Sequence, residues 1–460
     1  MPIIPSKTLL PPRCALIVAF LLGCTGGGVE LPPPNDAGPT ADAGPMDDAG
    51  VMPDAAPIDP TWSDDDVFNE DEVGTYELTV APADWDYLNK HALDETYVPA
   101  TLHYRGQTWA NIGVRYKGGF GTLKLCFDSS GNRLCPKVSM KLKFNEYVVD
   151  QRFFGLKRLN FHSMHYDESH MKDRLGYSLF RAVGVPAPRA AHARLVINGD
   201  LIGVFALVEE IDGRFTEDRF VAKDGGNGNL YKSIWPVSQN PQTYIAALET
   251  NETMPNVDRM VRFAKALADA DDTTFRPTLE QWMDVPTLVR YLAVDRFIDN
   301  WDGIVGWYCP NGASSCHNHN YFWYEQSDAD RMWLLPWDMD NTFQSPNPIR
   351  TQYGMPDWNE SGGTCNLIPV FLGIPGRAPA CDPLIKRMAT LLWDDYRTAT
   401  AELIAGAGAP GLLEAKIDAM EKQLAPLVAE DPNGPGVAAW QNAVKDLRAD
   451  LPVLRARVAP

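Results

Sequence analysis

The chain has 460 residues, of which 45% are hydrophobic and 22% are charged, and its formal net charge is −19. This length and apolar content support a sizeable folded core, which excludes a wholly disordered or fibrous protein. Most of this charge lies in residues 25–72, and the mildly acidic remainder argues against the basic face that nucleic acids require, so we expect no nucleic-acid partner.

Residues 1–24 have the pattern of an export signal. Lys7 and Arg13 precede an apolar run that is too short to span a membrane. The run ends in Leu-Leu-Gly-Cys24, which is similar to a bacterial lipobox. We expect cleavage before Cys24 and lipid attachment to it, which would hold the protein at the cell envelope, on the outer membrane or the cell surface. The alternative is a plain secretory signal.

Residues 25–72 have the composition of a disordered segment. They contain thirteen Asp and Glu residues and no Lys or Arg, and Asp-Ala-Gly recurs at 36–38, 42–44 and 48–50. Low hydrophobicity and charge of one sign cannot offset the entropy lost on ordering. We predict an acidic tether that separates the folded part from its anchor.

The folded region is predicted to begin at about residue 73, and its first half is rich in strands. Alternating polar and apolar residues predict strands at 76–80, 97–105, 109–117, 137–144, 156–161, 192–197 and 201–209. Helices are predicted at 83–90 and 169–183. Asn198-Gly199 is typical of a tight turn between two strands.

The second half is predicted to be mainly helical. Helical patterns occur at 255–270, 286–300, 383–405, 411–427 and 434–457, and two strands are predicted at 321–325 and 332–335. A strand-rich front half and a helix-rich back half predict an α+β fold with two lobes. Ligand sites tend to lie in the cleft between such lobes.

Six cysteines follow the predicted signal, in three close pairs. The pairs are Cys126 with Cys135, Cys309 with Cys316, and Cys365 with Cys381. In an exported protein, neighbouring cysteines usually form disulfides, so we expect these three local bridges. A zinc site is a weaker interpretation because no Cys-x-x-Cys pair occurs.

Acidic and amide side chains are concentrated between residues 299 and 340. Asp338 and Asp340 directly follow an apolar, strand-like run, and Asp302 and Asn320 lie upstream. Phosphoryl transfer requires a carboxylate that positions the attacking hydroxyl, together with an Asn and an Asp that hold magnesium. The order of these residues along the chain fits that requirement.

These segments resemble the CotH kinase family. Its signature, Asn-x-Asp, Asn-Tyr-x-x-Tyr and Pro-Trp-Asp-x-Asp, is matched at 300–302, 320–324 and 336–340. The resemblance implies an atypical protein-kinase-like fold over residues 73–400, with helices of residues 401–460 packed on the same domain. It also implies that ATP and Mg²⁺ are cofactors, with Mn²⁺ or Ca²⁺ as alternatives. The expected acceptor is a Ser or Thr of an envelope or secreted protein.

The resemblance also implies roles for individual residues. Asn320, Asp338 and Asp340 are expected to hold the metal ion, and Asp302 to orient the acceptor hydroxyl. Two alternatives stay open from the sequence. Asp299 is an alternative to Asp302 for orienting the hydroxyl. Asn318 is an alternative to Asn320 as the metal ligand, because strand alternation would put both side chains on the same face.

The front half is expected to bind the nucleotide. Arg-Tyr-Lys-Gly-Gly-Phe-Gly at 115–121 matches a family motif, and Gly118, Gly119 and Gly121 are expected to let the backbone approach phosphate. Lys141 is expected to grip the α- and β-phosphates as a catalytic residue; Lys143 shares its strand face. Its acidic partner, Asp173 or Glu168, is not assigned by the sequence. Glu209 is expected near the nucleotide, or else at the solvent end of a strand.

Two other functions are compatible with the sequence. The chain could be a catalytically silent surface lipoprotein that keeps the fold as a binding or structural module. It could also hydrolyse carbohydrate with two carboxylates, although nothing in the sequence fixes an acid pair at the separation this needs.

Overall fold

The computed structural model describes residues 62–119, 121–220, 226–329, 331–360, 364–371 and 373–459. The predicted export signal, Cys24 and the tether as far as residue 61 lie outside these ranges. Within them, no helix combines the length and the apolar character that crossing a membrane requires.

The elements follow each other in the order that the sequence patterns indicate, with several additions. The strands are β1 Gly74–Val80, β2 Val98–Tyr104, β3 Gln107–Tyr116, β4 Met140–Lys143, β5 Arg158–His162, β6 Ala190–Ile197, β7 Asp200–Val208, β8 Asn229–Lys232, β9 Tyr321–Gln326, β10 Arg331–Pro336, β11 Ile368–Phe371 and β12 Ile374–Gly376. The helices are α1 Asp64–Val67, α2 Pro82–Lys90, α3 Lys172–Ala182, α4 Gly213–Arg219, α5 Pro241–Ile245, α6 Asp258–Asp269, α7 Phe275–Trp282, α8 Val285–Phe297, α9 Pro348–Tyr353, α10 Pro383–Leu391, α11 Trp393–Ala405, α12 Leu412–Glu430 and α13 Val437–Val458.

The first seven strands form a closed barrel in the order β1-β2-β3-β4-β5-β7-β6. Neighbouring strands are antiparallel except β1 and β6, whose parallel pairing closes the barrel. Alternation along each strand sends one set of side chains inward, where Leu102, Val114 and Leu142 have no solvent exposure. The predicted hairpin connects β6 to β7 through Asn198 and Gly199, both of which have positive φ.

The second lobe packs helices around a small sheet with the order β10-β9-β8. Helix α8 lies at its centre, where Leu292 and Phe297 are fully buried. The C-terminal helices α12 and α13 contribute Leu424 and Leu451 to the same hydrophobic core. The predicted α+β fold, with a strand-rich first lobe and a helix-rich second lobe, is confirmed.

Residues 62–72 correct the predicted boundary of the tether. Val67 and Phe68 are only 4% exposed and belong to the barrel core. Asp64 forms an ion pair with Arg189 at 2.8 Å, and Glu70 forms one with Arg181 at 2.6 Å. Because these acidic groups neutralise arginines and two apolar neighbours are buried, this stretch is ordered, and the folded region begins by residue 62.

The three predicted disulfides are present. They join Cys126 to Cys135, Cys309 to Cys316 and Cys365 to Cys381. The first closes a loop that follows the glycine-rich segment, and the second closes a loop between Asp302 and Asn320. Two of the three therefore hold loops beside predicted site residues.

Candidate functional site

Two adjoining pockets lie between the barrel and the helical lobe. The first, of about 290 Å³, is lined by Lys117, Lys141 and Lys232, and we call it the basic pocket. The second, of about 470 Å³, is lined by Asp302 and several aromatic rings, and we call it the acidic pocket. Both pockets share one wall, which consists of Gly119, Thr122, His319, Asn320, Asp338 and Asp340.

Lys141 reaches the basic pocket from β4 and pairs with Glu210, with 2.8 Å between its Nζ and Oε1. The pair is only partly exposed, at 15% for each side chain. Lys141, Arg158 and Lys117 together outweigh the burial that would raise the pKa of Glu210, so this pKa lies below its usual range. The acidic partner is therefore neither Asp173 nor Glu168.

Glu209 does not line the basic pocket, which corrects the expectation for this residue. Its side chain is 2% exposed and pairs with Arg189 at 2.6 Å and with Arg219 at 2.5 Å. The reason is the alternation of side chains at the end of β7, which turns Glu209 away from Lys141 and turns Glu210 toward it. Lys143 also lies outside the pocket, where it pairs with Glu146 at 2.5 Å.

Lys117 lies beside Lys141 and contacts a different group. Its Nζ is 2.9 Å from Nε2 of His162, and Nδ1 of His162 is 3.3 Å from Oδ2 of Asp173. Burial, helped by the charge of Lys141, lowers the pKa of Lys117 to about 7. An anion such as phosphate would restore its charge and bind to it strongly.

The glycine-rich segment forms the edge of both pockets. Gly118 has φ of +146°, and a Cβ on it would lie 2.6 Å from Oγ1 of Thr122, so a larger residue would not fit. Gly119 has open space around it, and Gly121 lies beneath the ring of Tyr166. The backbone is thus open to an approaching ligand at Gly119.

The acidic loop after β10 has an unusual backbone held by helix α3. Asp338 has φ of +61°, and its N–H donates to the hydroxyl of Tyr177 at 2.9 Å. The N–H of Met339 donates to Asp173 at 3.2 Å, and Lys172 donates to the carbonyl of Asp340 at 3.0 Å. These bonds compensate for a conformation that non-glycine residues rarely adopt.

Negative charge is concentrated at this loop. Burial raises the pKa of Asp338, and burial together with the charges of Asp338, Asp173 and Asp302 raises the pKa of Asp340 well above its usual range. A divalent cation would relieve this repulsion, and carboxylate and amide oxygens are the ligands that Mg²⁺ prefers. The donor set fits Mg²⁺.

The acids do not form a closed cluster by themselves. Among the described ranges, the one group of three His, Cys, Asp or Glu ligand atoms within 4.8 Å is that of Cys126, Cys135 and His165. Its sulfurs are already joined in a disulfide. A cation in the cleft would therefore have to draw the carboxylates of Asp338 and Asp340 together with its other ligands.

The structure places Asn320 in the shared wall and Asn318 outside it. Asn318 is 1% exposed and is bonded to the carbonyl of Ile304 and to the hydroxyl of Tyr321. Asn320 has φ of +62°, so the alternation expected for a strand is broken between the two residues. Its NH₂ donates to the carboxylate of Asp302 at 3.1 Å, which leaves its amide oxygen as the atom for a cation.

Asp302 lies in a turn and not at a helix end, because α8 stops at Phe297. Its Oδ1 accepts a hydrogen bond from Tyr308 at 2.6 Å and lies 3.2 Å from Nε2 of His319. Asp299 lies away from both pockets and pairs with Arg457 at 2.5 Å. Of the two candidates, the geometry places Asp302 in the cleft.

The electrostatics of Asp302 are set by its neighbours. Burial alone would raise its pKa, but His319, Tyr308 and Asn341 outweigh this, so the pKa of Asp302 is lowered. In return, Asp302 overcomes the effect of burial on His319 and raises the pKa of that imidazole. Asp302 is therefore a stable carboxylate, suited to align a hydroxyl rather than to act as a strong base.

Sequence reasoning did not assign several residues of the cleft. Glu210, His162 and Lys232 carry no motif of their own. Lys232 belongs to β8, a strand that the sequence analysis did not predict. The strand register could have indicated Glu210. Lys141 lies opposite Asn160, and Asn160 lies opposite Val208. Glu210 is two residues after Val208, so its side chain points to the same face of the sheet as that of Lys141.

Comparison with known proteins gives a sequence match to one curated protein and alignments with solved structures. Inner spore coat protein H of Bacillus subtilis (strain 168) is 24% identical over 285 residues, which cover 60% of this chain and 70% of that protein. The Helicobacter pylori proinflammatory kinase CtkA aligns with a TM-score of 0.29 and 9% identity over 78% of this chain and 90% of its own. HipA, in its complex with HipB and operator DNA from Shewanella oneidensis MR-1, aligns with a TM-score of 0.27 and 13% identity over 70% of this chain and 64% of its own.

The family model described as CotH kinase protein matches residues 114–449. The matched range includes the glycine-rich segment, Lys141, the acidic loop and most of the C-terminal helices. It covers well over half of the chain. The chain therefore belongs to the CotH kinase protein family.

Proposed function

We propose that this chain is an ATP-dependent protein kinase that transfers the γ-phosphate to Ser or Thr hydroxyls of envelope or secreted proteins. The observation that carries the proposal is the shared wall. In this wall Asn320, Asp338 and Asp340, the residues proposed to hold the metal, lie between the basic pocket and the acidic pocket that contains Asp302. A phosphoryl group must cross from its donor to its acceptor at such a boundary.

The basic pocket supplies the phosphate contacts. Lys141 is held in place by Glu210, so its ammonium keeps one position as the α- and β-phosphates bind. Lys117 and Lys232 add positive charge, and the backbone at Gly119 is open to a phosphate oxygen. Bound Mg²⁺ would neutralise phosphate charge, with Asn320, Asp338 and Asp340 as its protein ligands.

Asp302 performs the remaining task on the acceptor side. It accepts the hydrogen bond of the Ser or Thr hydroxyl and aligns its oxygen with the γ-phosphorus. The new P–O bond forms as the bond to the β-phosphate oxygen breaks, and the hydroxyl proton, made acidic by the forming bond, passes last to Asp302, which is a weak base. Tyr308 and Asn341 keep the carboxylate fixed during this step.

The test is transfer from labelled ATP with Mg²⁺ to a panel of envelope protein extracts and to the chain itself. The Asp338→Asn variant should lose labelling. The Asp150→Asn variant is the matched control, because the Asp150 side chain is 88% exposed and far from the cleft in its ion pair with Arg152. Equal labelling by wild type and Asp338→Asn would contradict the proposal.

We further propose that the protein works at the cell envelope, held by lipid on Cys24, with no membrane contact apart from this anchor and no nucleic-acid partner. The support is the pattern of residues 1–24 and the three disulfides, which are typical of an oxidising compartment. Metabolic labelling with radioactive palmitate should mark wild type and not Cys24→Ala. Labelling of both proteins would contradict the proposal that Cys24 carries the lipid.

A second candidate function is a silent binding module. The observation that favours it is that both oxygens of Asp302 already accept hydrogen bonds, from Tyr308 on one side and from Asn320 and Asn341 on the other. Calorimetric titration with Mg²⁺ and ATP separates the candidates. A silent module that has lost the nucleotide site should give no heat of binding.

A further inference from the structure

Helix α3 contacts both halves of the cleft from behind. Toward the acidic loop, its Lys172, Asp173 and Tyr177 bond to three consecutive backbone groups, those of Asp340, Met339 and Asp338. Gly176 completes this contact, because a Cβ there would lie 2.9 Å from Cγ of Met339. The helix therefore fixes the backbone from which both acidic side chains project.

Toward the basic pocket, the same helix acts through one residue. The carboxylate of Asp173 uses Oδ1 for the N–H of Met339 and Oδ2 for Nδ1 of His162. Nε2 of His162 then accepts a hydrogen bond from the Lys117 ammonium at 2.9 Å. A single side chain, 4% exposed, thus connects a pocket lysine to the acidic loop.

Lys117 differs from Lys141 in its lack of an acidic partner. Lys141 has Glu210 at 2.8 Å, whereas no carboxylate within the described ranges lies within 4.0 Å of the Lys117 ammonium. A cation that is largely removed from water and contacts no carboxylate is costly, and an anionic ligand lowers that cost. Lys117 therefore gains more from bound phosphate than a lysine that is already paired.

We infer that Lys117, His162 and Asp173 form a positioning chain through which a bound triphosphate sets the geometry of the acidic loop. The inference rests on the proposed function. Phosphate holds Lys117 as an ammonium that donates to Nε2 of His162, so Nδ1–H of His162 donates to Asp173. Asp173 is then held in the orientation that receives the N–H of Met339.

The consequence is that nucleotide and metal bind cooperatively. A loop already held in its binding geometry pays less ordering free energy when the cation arrives. The coupling is reciprocal, so the factor by which Mg²⁺ tightens nucleotide binding equals the factor by which nucleotide tightens Mg²⁺ binding. None of the three residues needs to touch the reacting atoms, and they act as positioning residues.

The test is calorimetric titration of the full chain with the non-hydrolysable ATP analogue AMP-PNP, once with Mg²⁺ and once with EDTA. In wild type, Mg²⁺ should tighten binding by about tenfold or more, within the usual range of coupling between sites. In His162→Phe the factor should fall below about threefold, because the connection to Asp173 is cut. His162→Gln should keep most of the coupling, since its amide can accept from Lys117 and donate to Asp173.

Ser178→Ala is the matched control. Ser178 lies on the same helix, and its hydroxyl bonds to the carbonyl of Leu175 and not to the loop, so the coupling should stay at the wild-type value. If His162→Phe fails to fold, as judged by its unfolding transition, Asp173→Asn provides the same comparison.

The outcomes separate the two proposals. Wild-type coupling in both His162→Phe and Asp173→Asn would overturn the positioning chain and leave the proposed function standing. No binding of AMP-PNP to wild type under either condition would overturn the proposed function, and the positioning chain with it.

Discussion

The two walls of the cleft carry opposite charge and are built differently. The barrel wall presents Lys141 from a strand whose position is set by pairing with β3 and β5 on either side. The helical wall presents Asp302, Asn320 and Asp338 from irregular segments, two of them with positive φ. Strand pairing fixes the cations at set distances, while side-chain hydrogen bonds from other elements hold the acids. Backbone pairing therefore positions the cationic wall, and side-chain hydrogen bonds, chiefly from α3, position the acidic wall.

The largest expected effect tests the acidic wall. Asp338→Asn should reduce phosphotransfer by about 1000-fold, because a ligand to the charge-neutralising metal is lost. It should also raise the urea midpoint of unfolding at neutral pH, since burial and nearby acids raise the pKa of Asp338 and its charge opposes folding. Rates and urea unfolding of the same preparation check both effects. Unchanged activity would show that the acidic wall is not the metal site.

The next effect tests the rigidity of the barrel wall. Lys141→Met should weaken binding of AMP-PNP and lower the free energy of unfolding by about 1–3 kcal/mol, because Glu210 loses its nearest cation and keeps only the longer pair with Arg158 at 3.8 Å. The double variant Lys141→Met with Glu210→Gln should recover most of the stability and none of the binding. Urea unfolding and calorimetry separate the two effects. If the single and double variants were equally unstable, the pair would not contribute in the way described.

A smaller effect concerns the contact between β6 and α3. Helix α3 is the helix that bonds to the acidic loop. Nδ1 of His192 accepts from Arg174 at 2.8 Å, and its Nε2–H donates to the carbonyl of His170 at 2.6 Å, so the ring is neutral. Burial and the charge of Arg174 lower the pKa of His192 to about 3. This folded-state pKa is below the unfolded value of about 6.5, so stability is complete above pH 6.5 and falls as the pH drops.

The expected slope is about 1.4 kcal/mol per pH unit below pH 6.5 for each such histidine. His170, whose pKa burial also lowers, adds a parallel slope. His192→Gln should therefore make the slope between pH 6.5 and 5 shallower by about 1 kcal/mol per pH unit, as measured by urea midpoints across that range. An unchanged slope in this variant would mean that His192 is protonated in the folded protein.

The smallest effect tests how the C-terminal helix supports the acidic wall. Arg457 on α13 pairs with Asp299 at 2.5 Å, three residues before Asp302. Arg457→Ala should lower the transfer rate by about fivefold and leave the affinity for AMP-PNP unchanged, since only the turn that carries Asp302 is loosened. Arg448→Ala, which removes a pair with Glu421 on α12, is the control. A loss of nucleotide affinity would contradict a local role.

The difference between the walls also explains what the sequence could predict. Alternation indicated the barrel strands and the face of Lys141, because strand pairing preserves a period of two. It did not separate Asn318 from Asn320, since the positive φ of Asn320 interrupts that period. Nor did it predict that the helix expected at 383–405 breaks at Leu392, whose side chain is fully buried. His162 carries no local signal, because its partners are Lys117, directly after β3, and Asp173 on α3.

The ordered segment that precedes β1 gives the N-terminus a mechanical role. Glu70 is bonded to Arg181 of α3, and its carbonyl accepts from Arg174 at 2.7 Å on the same helix. Tension applied at residue 62 would therefore load the contacts of Asp64, Val67 and Phe68 first and α3 next, before it could separate β1 from the barrel. The segment before β1 is therefore bonded to the helix that holds the acidic loop in place, so a force on this segment would act on the backbone of the cleft.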